Sequence, residues 1–223
     1  MPKHKLFVYP SILSGDFGRL AEEAKRVEDA GADAVHIDIM DGHFVPNLTL
    51  GPRALEAINR ATGLFLDVHL MIYNPYDYIE AFAKAGADRI TFHFEATEDV
   101  EDVIEFIRKC GLQAGVAFRP ETSFEMVPKY LHLCDLLLLM TVSPGFGGQK
   151  FLPKVVEKVE MAREYCNRNK IPDFLIQVDG GINAETGGKC VQAGANVLVS
   201  GDFIFKQSPD LSKGIAVLKK GTS

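Results

Sequence analysis

The tetrapeptide Ala30-Gly31-Ala32-Asp33 recurs as Ala85-Gly86-Ala87-Asp88 and, with asparagine in the last position, as Ala193-Gly194-Ala195-Asn196. Each copy follows an amphipathic helical stretch and precedes an apolar run that favours a strand, and glycine just past a helix is a common stop signal. The three glycines lie 55 and 108 residues apart, which corresponds to two and four units of about 27 residues. Eight such units would take up nearly all of the 223 residues.

The rest of the chain supplies the missing units. The predicted strands are residues 6–12, 34–39, 65–70, 89–94, 113–118, 136–142, 174–178 and 197–200. The predicted helices are residues 17–30, 52–61, 75–85, 100–110, 124–133, 152–169, 184–193 and 210–219. Asn74 is expected to cap the third helix and Pro75 to occupy its first turn. Several strands are continuous apolar runs, which is typical of parallel strands covered by helices. We therefore predict an α/β protein, a single (β/α)8 TIM barrel over residues 1–223, with a doubly wound open sheet as the alternative.

Composition excludes several classes of protein. Hydrophobic residues make up 47% and charged residues 24% of the chain, which is usual for a soluble globular protein. The longest wholly apolar run, residues 136–140, is far shorter than the roughly 20 residues of a membrane helix, and residues 1–5 do not begin a recognisable signal peptide. A net charge of −6 argues against a nucleic-acid surface. The four cysteines have no CxxC spacing and are expected to be reduced thiols of a cytoplasmic protein; they are Cys110, Cys134, Cys166 and Cys190.

Polar residues near the ends of the predicted strands are candidates for chemistry, because active sites of such barrels lie at the carboxyl ends of the strands. His36 and Asp38 lie two residues apart on the second strand, so their side chains share a face. A buried aspartate needs a cation or a donor. His69 on the next strand and Asp179 on the opposite wall could converge with this pair. Two histidines and two carboxylates predict a divalent metal site that suits Zn, Fe(II), Mn or Co.

Other polar residues of these strands receive a different interpretation. A lone histidine on a strand is more often a satisfied core residue than a ligand. Asp67 is assigned the pleat face opposite to that of His69 and is expected to meet a helix. His93 and Glu95 fall at the end of the fourth strand and are given no role.

Glycine-bearing loops follow the last three predicted strands, at residues 144–148, 179–181 and 200–201. Glycine lets backbone N–H groups converge on an anion without obstruction by a side chain. The loops after strands seven and eight form the recurrent phosphate site of these barrels. The sequence therefore predicts a phosphate-binding rim.

Five stretches of the chain form a specific combination of motifs: residues 10–17 (PSILSGDF), 35–47 (VHIDIMDGHFVPN), 67–71 (DVHLM), 140–151 (MTVSPGFGGQKF) and 178–182 (VDGGI). With these stretches the chain resembles the ribulose-phosphate 3-epimerase family over essentially its whole length. The resemblance implies a barrel of the ribulose-phosphate-binding type and a metal-dependent epimerisation at C3 of a ketopentose phosphate. It implies interconversion of D-ribulose 5-phosphate and D-xylulose 5-phosphate through an enediolate, as in the pentose phosphate pathway, by a cytoplasmic homo-oligomer.

The same resemblance implies roles for individual residues. One divalent metal ion is held by His36, Asp38, His69 and Asp179, and Asp38 and Asp179 form the acid/base pair. The implied substrate contacts are Ser11, His69, Gly145, Phe146, Gly147, Gly148, Gly180, Gly181, Gly201 and Asp202. The implied lining of the reacting centre is Met40, Met71 and Met140. Methionines suit a dry, adaptable wall, although each would also serve as ordinary barrel core.

Three features of the sequence depart from the family pattern. Asp202 follows Gly201 where a small residue is usual, and a carboxylate beside a phosphate dianion is repulsive unless it points away. Arg119 precedes a proline where asparagine is usual, and it would either compensate an acidic rim or be solvated. Gly187 and Gly188 lower the helix propensity of the seventh helix.

Three alternative functions remain. The first is the same chemistry on a ketohexose phosphate such as allulose 6-phosphate, because the sequence does not measure pocket depth. The second is a lyase or decarboxylase on a related barrel, which would use an Asp-x-Lys arrangement, whereas Asp38 is followed two residues later by Met40. The third is a non-catalytic phosphosugar-binding barrel, which would not need two opposed aspartates. In all three the partner is a small phosphosugar, with no nucleic acid and no membrane.

Overall fold

Eight parallel strands form one sheet in the computed structural model, which describes residues 5–220. The strands are β1 (Phe7–Pro10), β2 (Ala34–Met40), β3 (Phe65–Met71), β4 (Arg89–His93), β5 (Gln113–Phe118), β6 (Leu136–Met140), β7 (Leu175–Asp179) and β8 (Val197–Ser200). Consecutive strands pair from β2 to β8, and β8 pairs with β1. A parallel bridge between Ser11 and His36 joins the end of β1 to β2 and closes the ring. The predicted barrel is confirmed, and the open-sheet alternative is wrong.

Seven α-helices surround the sheet within residues 5–220. They are α1 (Leu20–Asp29), α2 (Pro52–Ala61), α3 (Ile79–Lys84), α4 (Val100–Lys109), α5 (Val155–Arg168), α6 (Ala184–Ala193) and α7 (Leu211–Lys220). The helix predicted over residues 124–133 is wrong: the segment has one 3-10 turn at Phe124–Met126 and continues as irregular turns. Pro128 explains this, because proline lacks an N–H and clashes with the preceding turn of a helix. None of the described helices is both long and apolar enough to span a membrane.

Two helices differ from what their sequences predict: α3 lacks the expected asparagine cap, and α6 is regular despite its paired glycines. Asn74 has a left-handed backbone and does not cap the helix; its Nδ2 donates to Asp77 Oδ2, and residues 75–78 form a 3-10 turn. The paired glycines leave α6 intact, because Asn183 and Thr186 form a reciprocal cap at its amino end and Gly187 packs closely against Leu198. A good cap and tight packing offset the low propensity of glycine.

The repeated tetrapeptides stop helices and connect strands. Gly31, Gly86 and Gly194 have φ values of 81°, 102° and 112°, a region that glycine enters at little cost. The polar residue two positions after each of these glycines makes two hydrogen bonds with one residue of the preceding strand. Its side chain accepts one, and its backbone amide donates the other. The amide of Val8 donates to Asp33 Oδ2 at 2.8 Å, and the amide of Asp33 donates back to the Val8 carbonyl at 3.2 Å.

The same reciprocal pairing occurs at three further places, and we call these four pairs the amide locks. They join residues 33 and 8, 88 and 66, 135 and 114, and 196 and 176. Each lock therefore connects an odd-numbered strand to the even-numbered strand that follows it. All four lie at the amino-terminal end of the barrel.

The interior of the barrel has an apolar part and a polar part. Inward-facing apolar side chains of β1, β6 and β8 pack together, whereas β2, β3, β4 and β7 bring buried polar groups inside. These groups are His36, Asp38, Asp67, His69, Arg89, Thr91, His93 and Gln177. A second, larger apolar core lies between the sheet and the helices. The interior of the barrel is thus the place where chemistry can be built.

Candidate metal and substrate site

The four residues predicted to hold a metal lie together near the carboxyl ends of β2, β3 and β7. One possible ligand atom from each of His36, Asp38, His69 and Asp179 lies within 4.8 Å of the others. His36 Nε2 is 3.3 Å from Asp38 Oδ1 and 3.9 Å from Asp179 Oδ2. His69 Nδ1 is 3.1 Å and 3.9 Å from the same two oxygens. The group could hold a divalent ion.

His36 shows that this donor set fits a cation. Its Nε2 is buried and has no hydrogen-bond partner, although buried polar atoms nearly always have one. Its Nδ1 lies 2.8 Å from Asp67 Oδ2, so the other nitrogen is left to face the two carboxylates. Burial disfavours the imidazolium, but the charges of Asp38 and Asp67 outweigh it and hold the pKa of His36 well above its usual value. A positive charge, a proton or a metal ion, therefore belongs between His36 and the carboxylates.

The two carboxylates of the site have opposite protonation tendencies. Burial alone would raise the pKa of Asp38, but His36 and His69 outweigh it and hold that pKa below the usual range. Burial and then the charge of Asp38 raise the pKa of Asp179 to about 7. Ser11 Oγ also donates to Asp38 Oδ2 at 2.6 Å. Without a metal, Asp38 is thus the charged member and Asp179 holds a proton up to neutral pH.

The expectation for Asp67 is wrong, because residues two apart on a strand share a face and Asp67 therefore points inward with His69. Asp67 is fully buried. Its Oδ2 accepts from Gln177 Nε2 at 2.8 Å and contacts His36 Nδ1, and its Oδ1 accepts from Arg89 Nε at 2.8 Å. Burial raises its pKa, but Arg89 and His36 outweigh that effect and lower it. Asp67 therefore stays charged and orients the ring of His36.

A second set of contacts reaches His69 from the other side. His69 Nε2 lies 3.0 Å from His93 Nε2, and His93 Nδ1 lies 3.1 Å from Glu95 Oε2. Glu95 Oε1 accepts from the Arg119 amide at 2.8 Å and from the hydroxyl of Thr122. Burial lowers the pKa of His93 to about 4. Burial would raise the pKa of Glu95, but these hydrogen bonds outweigh it and lower that pKa to about 2. The sequence placed His93 and Glu95 near the site, but it did not show these contacts.

The side chain of Arg119 neither lies free in solvent nor pairs with an acidic rim. Its Nη2 donates to the Phe44 carbonyl at 2.9 Å, and its guanidinium carbon lies 4.2 Å from the centre of the Phe44 ring. This contact joins the loop after β5 to the loop after β2. The expectation that Arg119 is solvated is therefore wrong.

A cavity of about 400 Å³ opens at this end of the barrel. Twelve of the predicted substrate and wall residues line it: Ser11, Met40, Met71, Met140, Gly145, Phe146, Gly147, Gly148, Gly180, Gly181, Gly201 and Asp202. Asp38 and Asp179 line it as well, whereas His36 and His69 are fully buried. Gly180 has a φ of 120°, and a Cβ there would lie 2.4 Å from a Val142 methyl, so this turn requires glycine. The structure thus brings the metal group, the methionines and the three glycine loops to one cavity.

Asp202 does not point away from the cavity. Its Oδ1 accepts from Ser14 Oγ and from Lys206 Nζ, each at 2.7 Å. A Cβ on Gly148 would lie 2.7 Å from its Oδ2, so the carboxylate lies against the glycine loop. Burial raises its pKa, but the bonds from Lys206 and Ser14 outweigh that effect and lower it. The charge of Asp202 is therefore partly neutralised by its own neighbours.

Comparisons with known proteins find relatives that match nearly the whole chain. A model of the ribulose-phosphate 3-epimerase family matches residues 7–205. The ribulose-phosphate 3-epimerase of Chlamydia muridarum is 48% identical over 222 residues, which covers 99% of this chain and 97% of that protein. The enzyme of the same name from Bacillus subtilis is 48% identical over 212 residues, which covers 95% and 97%. The crystal structure of KGPDC from Streptococcus mutans superposes with a TM-score of 0.70 at 13% identity, covering 98% of this chain and 97% of that one. At that identity the structural match shows the fold alone.

Proposed function

Because the chain belongs to the ribulose-phosphate 3-epimerase family, we propose that it interconverts D-ribulose 5-phosphate and D-xylulose 5-phosphate by inverting C3. The observation that carries the proposal is that Asp38, Asp179 and the glycine loops line one cavity. Two carboxylates can move a proton on and off carbon, and glycine-loop amides can hold a phosphate. We further propose a cytoplasmic homo-oligomer acting on a small phosphosugar, with no nucleic-acid or membrane partner.

One divalent metal ion, Zn, Fe(II), Mn or Co, would be held by His36, Asp38, His69 and Asp179. When bound, it would act as a Lewis acid that offsets the negative charge developing on the sugar oxygens. The buried, unpartnered Nε2 of His36 supports this assignment.

Asp38 and Asp179 would form the acid/base pair. They reach the cavity from β2 and β7, which are not adjacent strands, so a sugar between them would meet one carboxyl on each face. The C3 proton is acidic because C3 adjoins the C2 ketone, and its removal by one carboxylate leaves an enediolate. Delivery of a proton by the other carboxyl from the opposite face inverts C3. Ser11 would orient the Asp38 carboxylate and contact the substrate.

The remaining lining would hold and shield the sugar. Met40, Met71 and Met140 are almost fully buried at the cavity wall and present no proton donor to the intermediate. Backbone N–H groups of the loops at residues 145–148, 180–181 and 201–202 would bind the phosphate. Asp202 would contribute its amide, with its carboxylate held by Lys206 and Ser14.

The test is exchange of the C3 proton in D2O, followed by NMR. Metal-depleted protein is expected to lose exchange, and one of the four metals should restore it. Asp38→Asn and Asp179→Asn should abolish epimerisation while preserving the circular dichroism spectrum, and Asp102→Asn on the surface of α4 serves as the control. Full epimerisation by either site variant would contradict the acid/base roles. A higher kcat/KM for allulose 6-phosphate than for ribulose 5-phosphate would overturn the proposed substrate.

A further inference from the structure

The ring of His69 contacts a second histidine, His93, on the side opposite the metal group. Its Nδ1 faces Asp38 Oδ1 at 3.1 Å, while its Nε2 faces His93 Nε2 at 3.0 Å. Both imidazoles are fully buried. Two ring nitrogens at this distance can share one proton, so one of them donates and the other accepts.

Glu95 decides which nitrogen donates. An ionised carboxylate has no proton to give, so the His93 nitrogen 3.1 Å from Glu95 Oε2, which is Nδ1, carries the hydrogen. In neutral His93 the other nitrogen, Nε2, then has no hydrogen, and its lone pair accepts a hydrogen bond from His69 Nε2–H. In the metal-free protein Asp38 Oδ1, 3.1 Å from Nδ1, competes for the same proton of His69. Once a cation neutralises that carboxylate, the proton stays on Nε2 and the lone pair of Nδ1 is available to the cation.

We propose that Glu95 and His93 are positioning residues that keep the proton of His69 on Nε2 and so keep its Nδ1 free to bind the metal. This inference rests on the proposed metal site. It gives His69 the same kind of support that Asp67 gives His36, but through an intervening imidazole. Partners of this kind fix the tautomer and orientation of a ligating histidine.

Glu95 is itself held in place from outside the barrel. Its Oε1 accepts from the Arg119 amide and the Thr122 hydroxyl, so Oε2 is the oxygen left for His93. A purely structural account would make Glu95 only a brace for the loop after β5. That account predicts that loss of the Thr122 bond matters as much as loss of the His93 bond.

Glu95→Gln separates the two accounts. With the amide oxygen kept on Arg119 and Thr122, the amide NH2 faces His93 Nδ1, which must then accept. His93 would carry its proton on Nε2 and drive the proton of His69 onto Nδ1, the atom that faces the metal. Thr122→Val is the matched control, because it removes a bond to Glu95 without touching His93.

The readouts are Co(II) affinity, by competition with a chromophoric chelator, and the Co(II) d–d absorption bands, with thermal unfolding of the metal-free protein as the measure of stability. Glu95→Gln is expected to weaken Co(II) binding about 10- to 100-fold and to shift the bands, with Thr122→Val close to wild type in both. His93→Leu should behave like Glu95→Gln, whereas His93→Gln, whose carbonyl can still accept from His69, should recover most of the affinity.

Three results would overturn the inference. One is wild-type affinity and bands in both Glu95→Gln and His93→Leu. Another is an equal loss of affinity in Thr122→Val. In either case tight Co(II) binding by the wild type would leave the proposed function standing. The third is failure of the wild type to bind Co(II), which would remove the proposed metal site as well.

Discussion

Replacing Asp67 with asparagine removes the carboxylate that pairs with the buried guanidinium of Arg89. Arg89 is 1% exposed, and its Nε lies 2.8 Å from Asp67 Oδ1. Removing one partner of a buried pair leaves an uncompensated charge and costs about 3–5 kcal/mol. In a chain of this length each kcal/mol lowers Tm by about 2–4 °C. We therefore expect Asp67→Asn to lower the Tm of the metal-free protein by roughly 6–20 °C.

A double variant tests whether the unpaired charge is the cause. In Asp67→Asn/Arg89→Met both charges are absent, and methionine keeps apolar contact with the rings of Tyr9 and Phe65, which flank the guanidinium. Replacing a whole buried pair is often close to neutral, so the double variant should regain most of the lost Tm. The assay is thermal unfolding followed by circular dichroism, with the exposed Glu80→Gln as control. A single variant that melts like wild type, or a double variant that melts below the single one, would refute the reasoning.

Three further predictions concern protons, thiols and one loop. Because the pKa of His36 is held well above its usual value and that of Asp179 is raised to about 7, metal binding must displace protons. Affinity should fall as pH falls below 7, and calorimetry in buffers of different ionisation enthalpy should detect proton release; no release would contradict these directions. Burial raises the pKa of Cys134 to about 12, so half-buried Cys110 should be alkylated before it in the native protein, as peptide mapping would show. Gly180→Ala places a methyl group 2.4 Å from a valine methyl at a φ of 120°, so it should lower both kcat/KM and Tm. The backbone strain alone should lower the free energy of unfolding by about 1–2 kcal/mol. Unchanged kcat/KM and Tm would contradict the need for glycine.

The sequence predicts the fold well because its signals are local. Gly31, Gly86 and Gly194 end helices as expected, since a left-handed residue after a helix is a requirement of the chain itself. The absence of a helix at residues 124–133 is also predictable from the sequence, because Pro128 lies in the middle of that segment. Asp67 lies two residues before His69, so the alternation of side chains along a strand is sufficient to place it on the inward face with His69.

The contacts of His93 and Glu95 could not be predicted in the same way. They depend on the register between β3 and β4, and on a loop after β5 that holds Glu95 through Arg119 and Thr122. The orientation of Asp202 likewise depends on Ser14, which lies at the opposite end of the chain. Such pairs have no spacing rule, because tertiary packing alone brings them together.

The amide locks have a consequence for how the barrel can be divided. Each lock lies inside one continuous segment that runs from an odd strand to the next even one: residues 8 with 33, 66 with 88, 114 with 135, and 176 with 196. The barrel is therefore a ring of four two-stranded modules, and the natural ends of the sheet, β1 and β8, lie at a boundary between modules. Circular permutants opened between β2 and β3, β4 and β5, or β6 and β7 keep every lock within a continuous piece of chain. Those three junctions are where the polypeptide can be reopened with the least loss of local bonding.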